Sequence, residues 1–262
     1  MDRELWDHCR DVIRRTEAAD LGCAVEDFDA NALIVVPRPA KVLYPEYPAV
    51  VVSFGTGTVV SVESGYLNWV NANRPEKHWA AFNASFISKL GAEVERSGAS
   101  VAHRSISLAF TIAEPPDAVD VPVGFVVEQH PREWALPLRA AEEFENAVGE
   151  ANEDDWFDRV AAFFVASDGM GTPLAVASAA DDGNGRMEIG LHVARAARGN
   201  RLARPVVLAA SRWILEQGTV PYYTCGAANV RSHLVAESCG YRALWSVTGI
   251  ARVTAGVGSQ TG

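Results

Sequence analysis

The stretch from Met187 to Tyr241 constrains this chain more than any other part. It reads MEIGLHVARAARGNRLARPVVLAASRWILEQGTVPYYTCGAANVRSHLVAESCGY. The pattern predicts a strand over Met187–Val193, a helix that begins at the turn RGNRLA, a second strand, and a second helix closed by Gly-Tyr. Amides in the first turn of a helix have no partner within the helix. This turn therefore gathers free N–H groups, two arginines and a helix N-terminus, which together favour binding of a phosphate or pyrophosphate.

The helix after this turn has clear limits. Pro205 is tolerated only in a first helical turn, where its missing N–H costs no helical hydrogen bond, so it places the helix start at RGNRLA. Gly218 is a typical C-terminal stop. Between them the residues that form one apolar face are Leu202, Val206, Ala210, Trp213 and Ile214.

Length and composition limit the class of protein. The 262 residues suit one large domain or two modest ones, and 48% are hydrophobic, as in ordinary globular proteins. No apolar run approaches the ~20 residues of a membrane span. The first residues, MDRELWDHCRDVIRR, are charged and amphipathic, unlike a signal peptide, so we expect a cytoplasmic protein. The four cysteines have no CxxC spacing, so we expect reduced thiols and no metal site.

Charge is distributed unevenly. The net charge of −10 argues against a general nucleic-acid binder. Residues 121–183 carry 13 acids and three arginines, whereas residues 184–262 carry nine arginines, three glutamates and no lysine. One explanation of this uneven distribution is chance variation in the composition of the surface. The functional one is a basic floor for an anionic cofactor, with acidic surroundings that favour a cationic amine.

The first half of the chain predicts a mixture of helices and strands. The patterns indicate helices over 2–18, 65–72 and 76–96, and strands over 32–37, 49–54, 58–62 and 103–112. The aromatic stripe of Trp69, Trp79, Phe82 and Phe86 fits a core better than a ligand wall. The segment EPPDAVDVP predicts a boundary near residue 118, which gives domains 1–117 and 118–262.

The second half predicts a strand over 124–128, an acidic helix over 137–148, and strands over 156–166 and 172–180 before Met187. This order does not alternate as in a dinucleotide-binding domain, so it favours an α+β fold with a mixed sheet.

The turn also resembles the cofactor signature of the GNAT superfamily of acyl-CoA-dependent N-acyltransferases. That signature is Arg/Gln-x-x-Gly-x-Gly/Ala, and it opens a helix just after a strand. Arg198, Gly199, Leu202 and Ala203 match it, whereas Arg201 stands where the family has glycine. Glycine there lets the backbone approach the pyrophosphate closely. An arginine either reaches the phosphates with its own donors or weakens cofactor binding.

A second match runs from Asn229 to Tyr241. Family members often show Asn followed by small residues and Gly-Phe about twelve positions later, and Asn229, Ser232, Ala236, Gly240 and Tyr241 keep that spacing. The resemblance places Asn229 beside the pantetheine arm, a role compatible with an ordinary N-cap. It covers about 55 residues well, residues 121–186 more thinly, and nothing identifiable over 1–117.

This resemblance implies a mainly antiparallel, twisted GNAT-like sheet flanked by helices, preceded by an α/β N-terminal domain. That N-terminal domain is either a degenerate second copy of the fold or a substrate lid. The implied co-substrate is acetyl-CoA, with no metal. The implied cofactor-binding residues are Leu191, His192, Val193, Arg198, Gly199, Asn200, Arg201, Leu202, Ala203, Asn229 and Ser232.

The implied chemistry is direct attack of a primary amine on the thioester. Backbone groups of Leu191–Val193 would stabilise the oxyanion. Glu188 is the candidate general base, against the alternative of a solvent-facing strand residue; His192 is a second candidate. The usual acid, a tyrosine in the last helix, is replaced by Ala236. Tyr222, Tyr223 and Cys225 are substitutes in principle, so the acid stays unassigned.

The sequence is also compatible with two other functions. One is a catalytically idle acyl-CoA sensor or interaction module, which Ala236 and Arg201 would suit. Another is a nucleotide- or phosphate-binding protein, although neither Gly-x-x-x-x-Gly-Lys-Ser/Thr nor Gly-x-Gly-x-x-Gly occurs. As an enzyme, we expect the chain to act on a small-molecule amine, a peptide N-terminus or a lysine, without nucleic acid or membrane and with a homodimer kept open.

Overall fold

The computed structural model describes residues 2–40, 42, 45–116, 120–141, 143–149 and 154–253. They form two compact units whose segments interleave along the chain. The first unit draws on residues 1–13, 110–225 and 229–243, and the second on residues 14–109, 226–228 and 244–262. The predicted boundary near residue 118 lies outside the described residues, so the division into 1–117 and 118–262 stays a prediction.

The secondary structure follows the predicted order. The α-helices of the described residues are α1 Arg3–Leu21, α2 Leu67–Ala72, α3 Ala84–Glu95, α4 Leu136–Ala140, α5 Glu145–Val148, α6 Asp154–Arg159, α7 Ala203–Glu216 and α8 Val230–Ser238. The strands are β1 Leu33–Pro37, β2 Ala49–Ser53, β3 Thr58–Val62, β4 Val101–Thr111, β5 Phe125–His130, β6 Val160–Asp168, β7 Pro173–Asp181, β8 Arg186–Val193, β9 Val220–Gly226 and β10 Arg242–Arg252.

The first unit is built on strands in the order β9-β8-β7-β6-β5. Neighbours from β5 to β8 are antiparallel, whereas β8 and β9 run parallel. The β6 and β7 strands are buried along most of their length because α7 packs across this part of the sheet and a second apolar cluster covers it as well. Strands buried on both faces read as continuous apolar runs, as Val160–Ala166 does.

The second unit has the strand order β1-β3-β2-β10-β4. β1 and β3 are parallel, while β2 pairs antiparallel with both β3 and β10. Its core joins these strands to α2 and α3, and it includes Phe86 with Trp69 and Phe82 packed against it. Trp79 is the exception in the predicted aromatic stripe, since it is 57% exposed.

These arrangements confirm the predicted fold class, a mixed and mainly antiparallel sheet flanked by helices. Whether the N-terminal region is a degenerate copy of the fold stays a prediction.

Three predicted elements were wrong in extent. Residues 76–96 do not form one helix, because the extended backbone of Asn83 separates a 3₁₀ turn from α3. The predicted helix 137–148 is divided into α4 and α5, with Phe144 in the left-handed region at φ 57°. Trp156 begins no strand: it lies in α6, and β6 starts only at Val160. An aromatic pair such as Trp156-Phe157 fits either period, so local pattern could not decide the last case.

Candidate active site

The candidate site is a cleft of about 740 Å³ at the point where β8 and β9 diverge. The described residues of the two strands pair only at Arg186–Glu188 with Val220–Tyr222. Beyond Glu188 the far end of β8 keeps its pairing with β7 alone, so its other edge faces the cleft. This volume lies within the range of small-molecule and cofactor sites, about 300–1,000 Å³.

Ten of the eleven predicted cofactor residues line this one cleft. They are Leu191, His192, Val193, Arg198, Gly199, Arg201, Leu202, Ala203, Asn229 and Ser232. Asn200 does not line it, and neither does the candidate base Glu188. Residues up to 41 positions apart in the chain therefore meet at a single opening.

The RGNRLA turn connects the end of β8 to α7. The Arg198 Nε donates to the Val193 carbonyl oxygen at 3.4 Å, which ties the turn back to the strand. Leu202 is the N-cap of α7 and has no hydrogen-bonding side chain, so the first-turn amides are left for another acceptor. Arg198 and Arg201 are both exposed.

Arg201 has a backbone conformation that glycine adopts more readily than other residues. Its φ is 59°, in the left-handed region, and Gly199 nearby has φ 94°. Left-handed backbone is costly for a residue with a Cβ. The arginine that departs from the signature therefore stands at a position whose backbone favours glycine.

The start of α8 forms the opposite wall. Asn229 is its N-cap, and the Asn229 side-chain oxygen accepts from the Ser232 amide at 3.2 Å. The Ser232 hydroxyl in turn lies 2.6 Å from the Tyr223 hydroxyl. Asn229 is therefore a structural cap that also faces the cleft, so its two predicted roles coexist geometrically.

His192 faces the cleft as an imidazole with a lowered pKa. Burial, followed by the charge of Arg198, lowers the pKa. Its Nδ1 is buried and has no hydrogen-bond partner among the described residues, and Phe144 meets the ring edge-on at 5.5 Å. A neutral imidazole here could bind a ligand or accept a proton.

Sequence reasoning missed several residues of the cleft. Arg231 adds a third arginine from the first turn of α8, and Asn146 contributes from α5. The arginine excess of residues 184–262 was a signal for Arg231. Asn146 has no such signal, because its place depends on α5 packing against β8. Tyr223, predicted only as one substitute acid among three, also lines the cleft.

Glu188 lies in a buried polar network instead of the cleft. Its side chain is on the sheet face of Tyr222 and Thr224, whereas Tyr223 alternates to the other face and contacts α8. Thr224 Oγ1 donates to Glu188 Oε1, and the Tyr222 hydroxyl lies 3.2 Å from Glu188 Oε2. The residue is only 9% exposed, so the alternative of a solvent-facing strand residue is wrong.

The network continues to Asp182 in the turn before β8. Tyr222 donates to Asp182 Oδ2, Arg159 binds Oδ1, and Arg186 Nε lies 3.5 Å from Oδ2. The Asp182 side chain is fully buried. Burial, together with the charge of Glu188, raises its pKa to about 7 despite the two arginines.

Within the described part of the chain no group of His, Cys, Asp and Glu side chains could hold a metal ion. Nor does any helix there have the length and apolarity to cross a membrane. All four cysteines are free thiols, and burial raises the pKa of the Cys225 thiol beside the cleft.

A family model matches the part of the chain that holds this site. The model of the acetyltransferase (GNAT) family matches residues 128–241, which contain β8, the turn, β9 and α8. Residues 128–241 form a GNAT-family acetyltransferase domain. The family supports acyl transfer as the general activity. No curated protein matches the chain.

Solved structures resemble this chain at low identity. A protein described as a GNAT-family acetyltransferase from Novosphingobium aromaticivorans is 21% identical with a TM-score of 0.43, covering 59% of this chain and 68% of its own. A GCN5-related N-acetyltransferase-like protein from Streptococcus suis gives 19% and 0.46, covering 65% and 69%. A GCN5-related N-acetyltransferase from Sphaerobacter thermophilus gives 12% and 0.47, covering 78% and 75%.

Proposed function

We propose that this chain is an N-acetyltransferase that moves an acetyl group from acetyl-CoA to a primary amine. The observation that carries the proposal is the convergence of the RGNRLA turn, the free edge of β8 and the start of α8 on one cleft. A GNAT domain supports acyl transfer, and the donor and acceptor are our inference from the residues of the cleft.

The residues of the cleft fit coenzyme A by charge and by hydrogen bonding. Its pyrophosphate is anionic, and the start of α7 combines uncapped amides, the positive end of a helix dipole and the exposed Arg198 and Arg201. Its pantetheine arm carries amides, which the free edge of Leu191–Val193 can bind as another strand would. Asn229 and Arg231 line the other wall.

Acetyl-CoA, when bound, supplies an activated acyl group. Backbone N–H groups at the end of β8 would stabilise negative charge on the carbonyl oxygen. Glu188 would take the proton of the attacking amine. The Glu188 carboxylate lies on the sheet face away from Tyr223 and does not line the cleft. Glu188 would therefore take the amine proton through a water molecule, or from an amine that approaches on its own face of the sheet.

Tyr223 is the side chain that we propose as the acid for the departing thiolate. It lines the cleft, and its hydroxyl is held by Ser232 at 2.6 Å. Burial raises its pKa to about 12, so it carries a proton throughout the neutral range. It would replace the helical tyrosine of the family, whose position here is occupied by the buried Ala236.

The acceptor that we propose is a cationic amine of a small molecule or peptide. The support is the acidic segment 121–183, whose 13 acids outnumber three arginines within the same unit that holds the cleft. Such a field concentrates cations before they lose their proton to the base.

The test is acetyl transfer by the full chain, followed as release of the CoA thiol, with a panel of polyamines, amino acids, aminoglycosides and a lysine peptide. The proposal predicts turnover with at least one amine and none with the corresponding alcohols. CoA binding without turnover on any amine would overturn the assignment as an enzyme.

A further inference from the structure

We propose that Glu188, Tyr222 and Asp182 form a proton relay, in which the proton taken from the amine at Glu188 is held at Asp182. This inference rests on the proposed function, in which Glu188 is the base. Tyr222 and Asp182 act through Glu188, so they are positioning residues for the reaction.

The geometry that carries the relay is one hydroxyl between two carboxylates. Tyr222 lies in hydrogen-bonding distance of Asp182 Oδ2 and, at 3.2 Å, of Glu188 Oε2. A phenol has one proton to donate, so it can satisfy only one carboxylate at a time. The second contact becomes a hydrogen bond only when the other carboxyl carries a proton and donates it to the phenol oxygen.

Two complete arrangements follow from this count. With the extra proton on Asp182, Asp182 donates to Tyr222 and Tyr222 donates to Glu188. With the extra proton on Glu188, both hydrogen bonds point the other way. When Glu188 receives a proton, it passes one to the phenol oxygen while Tyr222 releases its own to Asp182. The O–H bond at Glu188 breaks, one at Asp182 forms, and Glu188 returns to the carboxylate.

The surroundings of Asp182 suit it as the holding end. Arg159 and Arg186 contact it and favour its charged form, whereas burial and the nearby Glu188 favour its protonated form. The balance puts its pKa at about 7, so it can both accept and release a proton near neutral pH. Asp182 also adjoins the exposed turn Gly183–Gly185, where a proton can leave.

The relay gives the buried Glu188 a route by which it loses the proton that it has taken. Glu188 is 9% exposed and its Oε1 accepts a hydrogen bond from Thr224, so its contact with bulk water is limited. Tyr222 is 3% exposed and lies between the two carboxylates. Its hydroxyl oxygen links them in an unbroken row of hydrogen-bonding oxygens.

The kinetic arm of the test compares Tyr222→Phe, which removes the hydroxyl and keeps the ring, with Tyr66→Phe. Tyr66 is a buried tyrosine of the second unit whose hydroxyl bonds to Ser97. We expect Tyr222→Phe to lower kcat/KM for an accepted amine about tenfold, part of the ~10²–10⁴ that a positioned base contributes. The KM for acetyl-CoA should not change, and Tyr66→Phe should keep wild-type rates.

The pH profile separates a relay from a packing role. Wild-type kcat/KM should show a component that falls below about pH 7, where Asp182 is already protonated and the relay is full. Asp182→Asn, measured with the same amine, should lose this component. A Tyr222→Phe or Asp182→Asn profile with the wild-type acidic limb would overturn the relay and leave the proposed transferase intact.

An infrared titration tests the shared proton without turnover. Wild type should show a protonated carboxyl band that is lost with a midpoint near pH 7 and is absent from that range in Asp182→Asn. Tyr222→Phe should raise the midpoint, because the tyrosine hydrogen bond lowers the Asp182 pKa. The same carboxyl band with the same midpoint in the wild type, Asp182→Asn and Tyr222→Phe would refute the relay. Failure of every amine, with the infrared pattern as expected, would refute only the proposed reaction.

Discussion

The two ends of β8 differ in whether their polar groups are exposed or buried. At Leu191–Val193 the strand edge is free of β9, and the residues that follow are exposed arginines and uncapped helix amides. At Met187 and Glu188 the strand is paired on both sides, and the charged side chains of Arg186 and Glu188 are buried and contact polar partners. One end keeps its donors available for an external anion, while the other directs them at its own carboxylates.

Cofactor binding at the open end and proton transfer at the buried end therefore depend on different physical effects. An exposed cation binds a phosphate through long-range, salt-screened attraction and costs little to leave hydrated. A buried carboxylate responds strongly to its neighbours because burial penalises its charge, as the pKa of Asp182 shows. Mutations at one end should therefore change cofactor affinity, and mutations at the other should change rate and pH dependence.

The largest expected effect is at the buried end. Glu188→Gln should lower kcat/KM for the amine by ~10²–10⁴-fold while leaving CoA affinity nearly unchanged. The loss should shrink as pH rises, since more of the amine is then already neutral. A pH–rate profile beside the exposed Glu216→Gln control measures this. Wild-type rates near neutral pH would move the role of base to His192.

Gly190, between the two ends, should give the next largest effect. A Cβ there would lie 2.6 Å from Ser178 Oγ, 2.7 Å from the Asn146 carbonyl oxygen and 2.9 Å from the Trp156 ring. Gly190→Ala should destabilise the fold by ~1–3 kcal/mol through overpacking. Urea unfolding, with Gly169→Ala as control because a Cβ there meets nothing within 4 Å, checks it. Equal stability of both variants would mean that α5 does not hold β8 this closely.

A smaller effect separates the backbone of Arg201 from its side chain. Arg201→Gly and Arg201→Ala both remove the charge, but only glycine adopts φ 59° without strain. Relief of left-handed strain is worth ~1 kcal/mol, so the glycine variant should be the more stable and should bind CoA more tightly than the alanine variant. If it binds more tightly than wild type, the arginine obstructs the cofactor.

The smallest effects are expected from single charges at the open end. Arg198→Ala and Arg201→Ala should each weaken CoA binding about two- to fivefold, the ~0.4–1 kcal/mol of an exposed ionic contact. The loss should diminish at high salt. Arg195→Ala, an exposed arginine of the same segment that does not line the cleft, controls for net charge. Calorimetric titration of each variant with CoA at two salt concentrations measures these affinities. Affinities equal to that of the wild type would exclude both arginines from the site.

Sequence predicted the open end of β8 far better than the buried end. The turn and the start of α8 are local: Pro205 fixes one helix start and the Asn229 cap the other, so short-range rules place most cleft residues. The Asp182–Tyr222–Glu188 network joins residues up to 40 positions apart through side chains of two strands and a turn. Asp182 in DDGNG reads as an ordinary polar turn, and Tyr222-Tyr223 as packing.

The pairing of β10 with β2 is another long-range feature that local sequence pattern does not predict. β10 pairs with β2 although Ser246 and Ser53 are almost 200 positions apart, and residues 244–252 consequently belong to the second unit. A Pro-rich segment can mark a change of composition, but it carries no information on which strand returns to complete a sheet.

The most direct test of the central claim is the thermal unfolding of the full chain with and without acetyl-CoA. A ligand that binds only the folded state at a hundredfold excess over Kd stabilises it by about 2.7 kcal/mol. We predict a rise in melting temperature with acetyl-CoA, a smaller rise with 3′-dephospho-CoA, and a reduced rise in the Arg198→Ala/Arg201→Ala double variant. No shift at millimolar acetyl-CoA, or an equal shift with ATP or NAD, would contradict the assignment of the cleft to an acyl-CoA.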